Sequence, residues 1–202
     1  MRRSFVTRMN NNGANGSSIK IRTPRMDDLQ GIVSVVRACE PYLTAHMSYI
    51  YWMQIRHCRD TCAVAVMGGE IVGWCSIIPG SGGRYFVHQL GIAPKARRQG
   101  LAQSLLAHLV SELRRREDTP ELEFTIDRMN GAALDVVKTV AGQAGMQLRR
   151  TPEPVGLLEE GCAEDLYVMT PDASRRPDFS NEVANVLWTT TEGTEATNEL
   201  SF

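Results

Sequence analysis

Leu90-Gly91-Ile92-Ala93-Pro94-Lys95-Ala96-Arg97-Arg98-Gln99-Gly100-Leu101-Ala102 reads as a strand end, a basic turn and the start of a helix. After the turn, apolar residues recur at Leu101, Leu105, Leu109 and Leu113, with Leu106 and Val110 beside them. That is helical spacing with one core-facing stripe, and it predicts a helix starting near Gln99. The first N–H groups of such a helix lack intrahelical partners and carry the positive end of its dipole. Lys95, Arg97 and Arg98 add like charge at that point, a penalty that a bound anion reverses. Gly100 removes a Cβ where a ligand would approach the backbone, and Ala102 keeps the next turn open. The turn therefore reads as a cradle for a diphosphate; the competing reading is a solvated basic loop before a surface helix.

Working outward, Ile19-Lys20-Ile21 alternates as a short strand, and Thr23-Pro24 precedes a helix with Leu29, Ile32, Val33 and Val36 on one face. A second helix, about Ser48 to His57, is apolar almost all round and is expected to be largely covered. Cys62 to Met67, a Gly68-Gly69 turn and Glu70 to Ile78 predict a hairpin. Pro79 to Gly83 predicts a loop, followed by a strand from Tyr85 to Ile92 that feeds the basic turn. Further on come a strand at Glu121 to Ile126 and a helix opening near Asn130 that Gly145 stops. A short strand at Met146 to Leu148, a loop from Pro152 to Gly161 and a strand at Asp165 to Met169 complete the pattern. One domain over 19–170 is expected, between a flexible leader (1–18) and a tail (171–202) in which Phe179, Val183, Val186, Leu187 and Trp188 are spaced for a short docking helix.

The chain has 202 residues, 43% of them hydrophobic, which suits one compact core with tails. A net charge of −1 gives no overall pull towards nucleic acid or membrane. No run approaches the ~20 apolar residues of a membrane span, and the start lacks the apolar centre of a secretory signal, so a soluble cytoplasmic protein is expected. Five cysteines without a Cys-x-x-Cys pair suit reduced thiols. His57, Cys58 and Cys62 raise a metal question, but a fourth ligand is not evident and no metal is expected.

Arg97-x-x-Gly100-x-Ala102, preceded by Leu90-x-Ile92-x-Pro94, resembles the acyl-coenzyme A motif of the GNAT superfamily of N-acetyltransferases, Arg/Gln-x-x-Gly-x-Gly/Ala after a strand. The resemblance runs from 19 to 170 with helices and strands in that family's order. It implies an α/β fold with a mixed, mostly antiparallel central sheet flanked by helices, and acetyl-CoA as acyl donor. It also implies that the strand ending at Ile92 bulges and splays from its neighbour, so that the main chain at Leu90 and Ile92 meets the donor. Arg97, Arg98, Gln99, Gly100, Leu101 and Ala102 would hold the diphosphate, while Asn130 and Ala133 match the Asn-x-x-Ala that flanks coenzyme A. Many members place a Tyr where this chain has Val137, so protonation of the departing thiolate falls to another group or to water.

Within the superfamily, Ser48-Tyr49-x-Tyr51, Asp60-Thr61, Glu70-Ile71-Val72-Gly73, Phe86-Val87-x-Gln89 and Glu164-x-Leu166-Tyr167 are similar to the diaminobutyrate acetyltransferases of ectoine biosynthesis. Tyr49 and Glu164 match polar active-site positions. Three positions depart: the family's substrate-binding Asp falls at Thr44, its Trp at His88 and a His at Gly161, which predicts an acceptor other than diaminobutyrate itself.

Transfer of an acyl group to an amine needs a base for the ammonium proton. Glu164 is the leading candidate, because partial burial raises a carboxylate towards the working range. His88 is second, since imidazole needs little tuning near neutral pH. Strand alternation points it away from Val87 and Gln89. Tyr49 is placed to orient substrate or protonate the thiolate, and Thr44, His46 and Tyr51 are weaker substrate-binding candidates. The thiols lack an evident base partner, so direct attack on the thioester is expected. The expected acceptor is a small amine, with no membrane partner and with the homodimer that the resemblance implies. Two other readings remain open: an acyltransferase of this fold taking its donor from aminoacyl-tRNA, with the leader and Arg114-Arg115-Arg116 touching RNA, and a coenzyme A-binding module without catalysis.

Overall fold

The computed structural model describes residues 7–9, 18–116, 120–156 and 163–172. Among the described residues, eight strands form one sheet: β1 (Thr7–Met9), β2 (Ile19–Arg22), β3 (Cys62–Met67), β4 (Glu70–Pro79), β5 (Arg84–Ile92), β6 (Glu121–Asp127), β7 (Met146–Gly156) and β8 (Ala163–Pro171). Four α-helices among the same residues accompany them: α1 (Leu29–Arg37), α2 (Ser48–His57), α3 (Leu101–Arg116) and α4 (Gly131–Gln143). The spatial order is β1-β2-β3-β4-β5-β6-β8-β7, and every neighbouring pair is antiparallel except β5–β6. A parallel pair needs a crossover, which α3 provides.

The helices coat both faces because each has one apolar stripe to bury. Leu101, Leu105, Leu106, Leu109, Val110 and Leu113 of α3 are all buried, while α1 buries Ile32, Val33, Val35 and Val36. The strands between them are covered on both sides, which is why β3 is a nearly unbroken apolar run rather than an alternating one. Gly91 on β5 lets α1 and its following loop close down: a Cβ there would stand 2.7 Å from Leu43 Cδ1 and 3.2 Å from Cys39 Sγ. Arg22 at the end of β2 grips Asp28 through both carboxylate oxygens, 2.6 and 2.8 Å, just before α1 begins. Burial opposes the Asp28 charge, but Arg22 and the Arg25 N–H outweigh it and hold the carboxyl below its ordinary range.

Several expectations are corrected. Part of the expected leader, Thr7–Met9, pairs with β2 as an edge strand. The strand expected at Met146 to Leu148 continues through the first part of the expected Pro152–Gly161 loop as far as Gly156, shifted in register against β8 between Arg150 and Pro154; the rest of that loop, 157–161, lies outside the described residues. β8 is therefore interior and β7 forms the edge. The tail beyond Asp172, with its spaced apolar residues, also lies outside the described residues. The α2 helix is not largely covered: it buries Tyr51, Gln54 and Ile55 but leaves Tyr49 and Trp52 exposed, their rings stacked 5.6 Å apart. Among the described residues, no helix is long and apolar enough to cross a membrane.

Candidate active site at the β5–β6 splay

The site begins where the parallel pair ends. β5 and β6 pair only from Arg84–Glu121 to Val87–Phe124; beyond Val87 the strands part, β5 staying with β4 and β6 with β8. At the point of parting, the β4–β5 register shifts between Ser76 and Ile77, leaving His88 as the extra residue of a bulge. Downstream, Ala93 N–H bonds back to Val72 O on β4 at 2.9 Å. By the alternation of an antiparallel ladder, the main-chain groups of Leu90 and Ile92 point the other way, into the splay. The Ile92 carbonyl is occupied there by Arg97 Nε at 3.0 Å and Cys39 Sγ at 3.4 Å, so its N–H is the group left for a ligand.

The basic turn sits at the mouth of this opening. Gln99 and Gly100 belong to the turn and α3 starts at Leu101, two residues later than expected near Gln99. Arg98 and Gly100 both adopt left-handed backbone, φ 60° and 73°. The first intrahelical bond is Ser104 N–H to Gly100 O, so the N–H groups of Leu101, Ala102 and Gln103 project from the helix end. A Cβ on Gly100 would have only Gln103 Oε1 within reach, at 4.0 Å, so the position favours glycine for its left-handed backbone and not for lack of room. Such a cradle, at the positive end of a long helix, fits the diphosphate of coenzyme A.

The three cations divide their work. Arg97 reaches back to Ile92 O and, at 3.4 Å, to Ala38 O, so it fixes the turn against β5 and α1. Lys95 pairs with Glu70, whose carboxyl it holds below its usual range. Arg98 is exposed at the turn itself. Asn130 is the N-cap of α4, its Oδ1 accepting from Ala133 N–H at 3.1 Å, so these two matched residues serve each other. Val137 is buried in α4 and carries no proton to give. Arg114 bonds the Ala144 carbonyl, while Arg115 and Arg116 pair with Glu112.

On the α1–α2 side of the splay lies a second, uncharged cluster. The bulge overturns the expected alternation: His88 and Gln89 both turn towards α2 and the loop before it. Gln54 Nε2 donates to His88 Nδ1 at 2.9 Å, Ser76 Oγ lies 3.4 Å from the same nitrogen, and the His46 ring stacks on His88 at 5.1 Å. Gln89 Nε2 donates to Thr44 O at 2.9 Å. Burial, with His46 adding to it, pushes the His88 imidazole down to about 4, so it is neutral near pH 7 and is no longer the lightly tuned base expected from sequence. With Nδ1 accepting, the ring proton sits on Nε2 and His88 acts as a donor.

Tyr51 is fully buried and its hydroxyl accepts the His46 N–H at 3.1 Å, so it shapes the loop instead of lining an open pocket. Thr44, His46 and Tyr49 are exposed. Glu164 pairs with Asp127 of β6, and the register through Thr125–Leu166 puts it on the sheet face opposite Phe124 and Tyr167. That is also the face towards which His88 turns. Next to it, Asp165 is buried and bonded by Arg150 (2.7 Å) and Arg128 (3.0 Å); burial opposes its charge, but the two guanidiniums hold its carboxyl below the ordinary range. Gln54 was not singled out from sequence, although its place on the buried stripe Tyr51, Gln54, Ile55 marks it as a polar residue where helix periodicity demands an apolar one.

Comparison with known proteins agrees with this geometry. The profile of the acetyltransferase (GNAT) family matches residues 27–142. The L-2,4-diaminobutyric acid acetyltransferase of Chromohalobacter salexigens is 36% identical over 132 residues, 64% of this chain and 68% of that protein. That of Halomonas elongata is 34% identical over 132 residues, with the same shares. The diaminobutyrate acetyltransferase of Paenibacillus lautus, solved with L-2,4-diaminobutyric acid and coenzyme A, superposes with a TM-score of 0.68 at 23% identity over 77% of this chain and 96% of that one. A splayed parallel pair, a glycine turn at a helix start and a family profile spanning both are features of one fold, and this chain belongs to the GNAT acetyltransferase family.

Proposed function

We propose that this chain transfers an acetyl group from acetyl-CoA to a primary amine of a small amino acid of the diaminobutyrate type. The observation that carries the reading is the splay itself, which sets the open N-terminus of α3 beside unpaired main chain of β5 and, on the adjacent sheet face, a buried uncharged polar cluster. Bound acetyl-CoA supplies a thioester whose carbonyl carbon the amine attacks. The Leu90 and Ile92 N–H groups are the donors available to the oxygen charge that develops. Glu164 takes the ammonium proton, directly or through one water, and the departing thiolate is protonated from solvent, since Tyr49 stands on the exposed side of α2 with Trp52, away from Gln54.

The names and coverage of the relatives support this acceptor class. The test is thiol release from acetyl-CoA with L-2,4-diaminobutyrate, L-ornithine, L-lysine and simple amines, alongside isothermal titration of the donor. Turnover with one or more small amino acids is expected. Donor binding with no turnover on any amine would indicate a coenzyme A-binding module, and transfer that requires charged tRNA and disappears with ribonuclease would indicate the other donor.

A further inference from the structure

The β7–β8 ladder is interrupted beside the strand end that carries Glu164. Arg150 pairs with Tyr167 and Pro154 with Asp165, so Thr151, Pro152 and Glu153 on β7 have Leu166 alone opposite them. Pro152 and Pro154 have no N–H to give to a ladder, and the Thr151 hydroxyl oxygen is buried without a hydrogen-bond partner. Asp165 closes the gap with its side chain instead. Its Oδ1 accepts from Arg150 Nη2 at 2.7 Å, which joins the last regular pair before the gap to the first one after it. The same oxygen accepts from Arg128 Nε, at 3.0 Å, in the turn that follows β6. The Asp165 side chain is 11% exposed and each arginine side chain 56%, so the carboxylate is the enclosed partner of the three.

Strand alternation puts Asp165 with Tyr167, Phe124 and Ile126 on one face of the sheet and Glu164 on the other. The two guanidiniums therefore grip the strand end from the face that Glu164 does not use, and charge on both sides makes these bonds stronger than neutral ones. We propose that Asp165 is a positioning residue for acyl transfer: held by Arg128 on the β6 side and by Arg150 on the β7 side, it replaces the missing ladder bonds and fixes the strand end that aims Glu164 at the acceptor amine. The inference rests on Glu164 as the base in the reading above, but hydrogen exchange tests the clamp separately from turnover.

The experiment is a double-mutant cycle in the full chain, read by steady-state kinetics with acetyl-CoA and the amine turned over fastest in the panel above, alongside amide hydrogen exchange. Asp165→Asn should lower kcat by about 10- to 100-fold, the range for a reacting group displaced by ~1 Å, with both Michaelis constants within about twofold. Exchange in a peptide spanning 163–167 should quicken by about tenfold or more, while exchange in β3 and β4 stays as in wild type. In a Glu164→Gln background the same substitution should cost no further kcat, because it acts through Glu164. Should Asp165→Asn fail to fold, Arg150→Met removes the bond across the gap from a mostly exposed side chain and should show the same pattern at smaller size. Equal losses of kcat in the two backgrounds overturn the proposal, since they mark a general loosening of the fold, and so does unchanged exchange at 163–167. If Asp165→Asn quickens that exchange but Glu164→Gln turns over like wild type, the clamp stands and the base reading fails.

Discussion

Acidification tests the state of His88. Folding takes this imidazole from its ordinary value of 6.5 down to about 4, because it loses solvent and lies against His46. Between those values the unfolded chain binds a proton that the folded chain refuses, so stability rises with pH through that window and is lost as pH falls below 6.5. Integrated from about pH 7 to about pH 5, the full shift amounts to a loss of about 2 kcal/mol; since the ring is only half-buried and partly screened, about 1 kcal/mol is the expected size. Urea unfolding at the two pH values reads this directly as a shift in midpoint. Other groups titrate too, including His108, whose imidazole burial also depresses, so the informative quantity is the difference between wild type and His88→Gln. The variant should lose about 1 kcal/mol less than wild type over the same interval. Parallel pH dependence in the two proteins would refute the reasoning, because it would mean that the ring keeps its ordinary affinity for a proton in the folded state.

Arg97→Lys should raise KM for acetyl-CoA by about tenfold while leaving the amine KM within about twofold, since one ammonium cannot replace the fork that holds Ile92 O and Ala38 O; steady-state kinetics with each substrate varied in turn decides it, and an unchanged donor KM would contradict the role. Gly91→Ala should cost about 1–3 kcal/mol in urea unfolding by forcing a Cβ against Leu43 and Cys39, and should raise the amine KM because Leu43 leads into the loop that Gln89 holds. Glu164→Gln should lower kcat by about a hundredfold or more with acetyl-CoA affinity by titration unchanged; unaltered kcat would remove Glu164 as the base.

The turn on which the proposed donor site rests was legible in the sequence because it is a main-chain feature. A glycine at a helix start and a strand running into it leave a signature that does not depend on which side chains surround them, and the structure has Gly100 in left-handed backbone with α3 starting at Leu101, two residues after the expected start. The acceptor half was harder to read, for two physical reasons. A bulge adds one residue and reverses facing, so alternation through Val87, His88 and Gln89 gave the wrong side for His88 relative to Gln89. Helical spacing in a segment apolar almost all round also could not separate its two tyrosines: Tyr51 lies on the stripe with Gln54 and Ile55, while Tyr49 is on the open face with Trp52. The strand over Met146–Gly156 was read short because Pro152 and Pro154 speak against a ladder, yet β7 is an edge with a register shift, where proline is tolerated.

The two halves of the site meet along β5 and draw on different kinds of structure, and that separation constrains how variants behave. The β5–β6 pair is the one parallel pair among the described residues, so α3 must cross over and begin at the C-terminal end of β5; the cradle at Gly100 follows from connectivity, with Arg97 as its clamp. The proposed acceptor side rests instead on Gln54, His88 and Gln89, three side chains on α2 and the bulge whose hydrogen bonds run to one another, to Ser76 and to Thr44. Substitutions at Gln54 should therefore act on the amine alone and substitutions at Arg97 on the donor alone. Only changes that move the strand between them, at the His88 bulge or at Gly91, have a physical route to shift both Michaelis constants together. A Gln54 variant that weakened donor binding as strongly as amine binding would show that the cluster supports the strand and not the substrate.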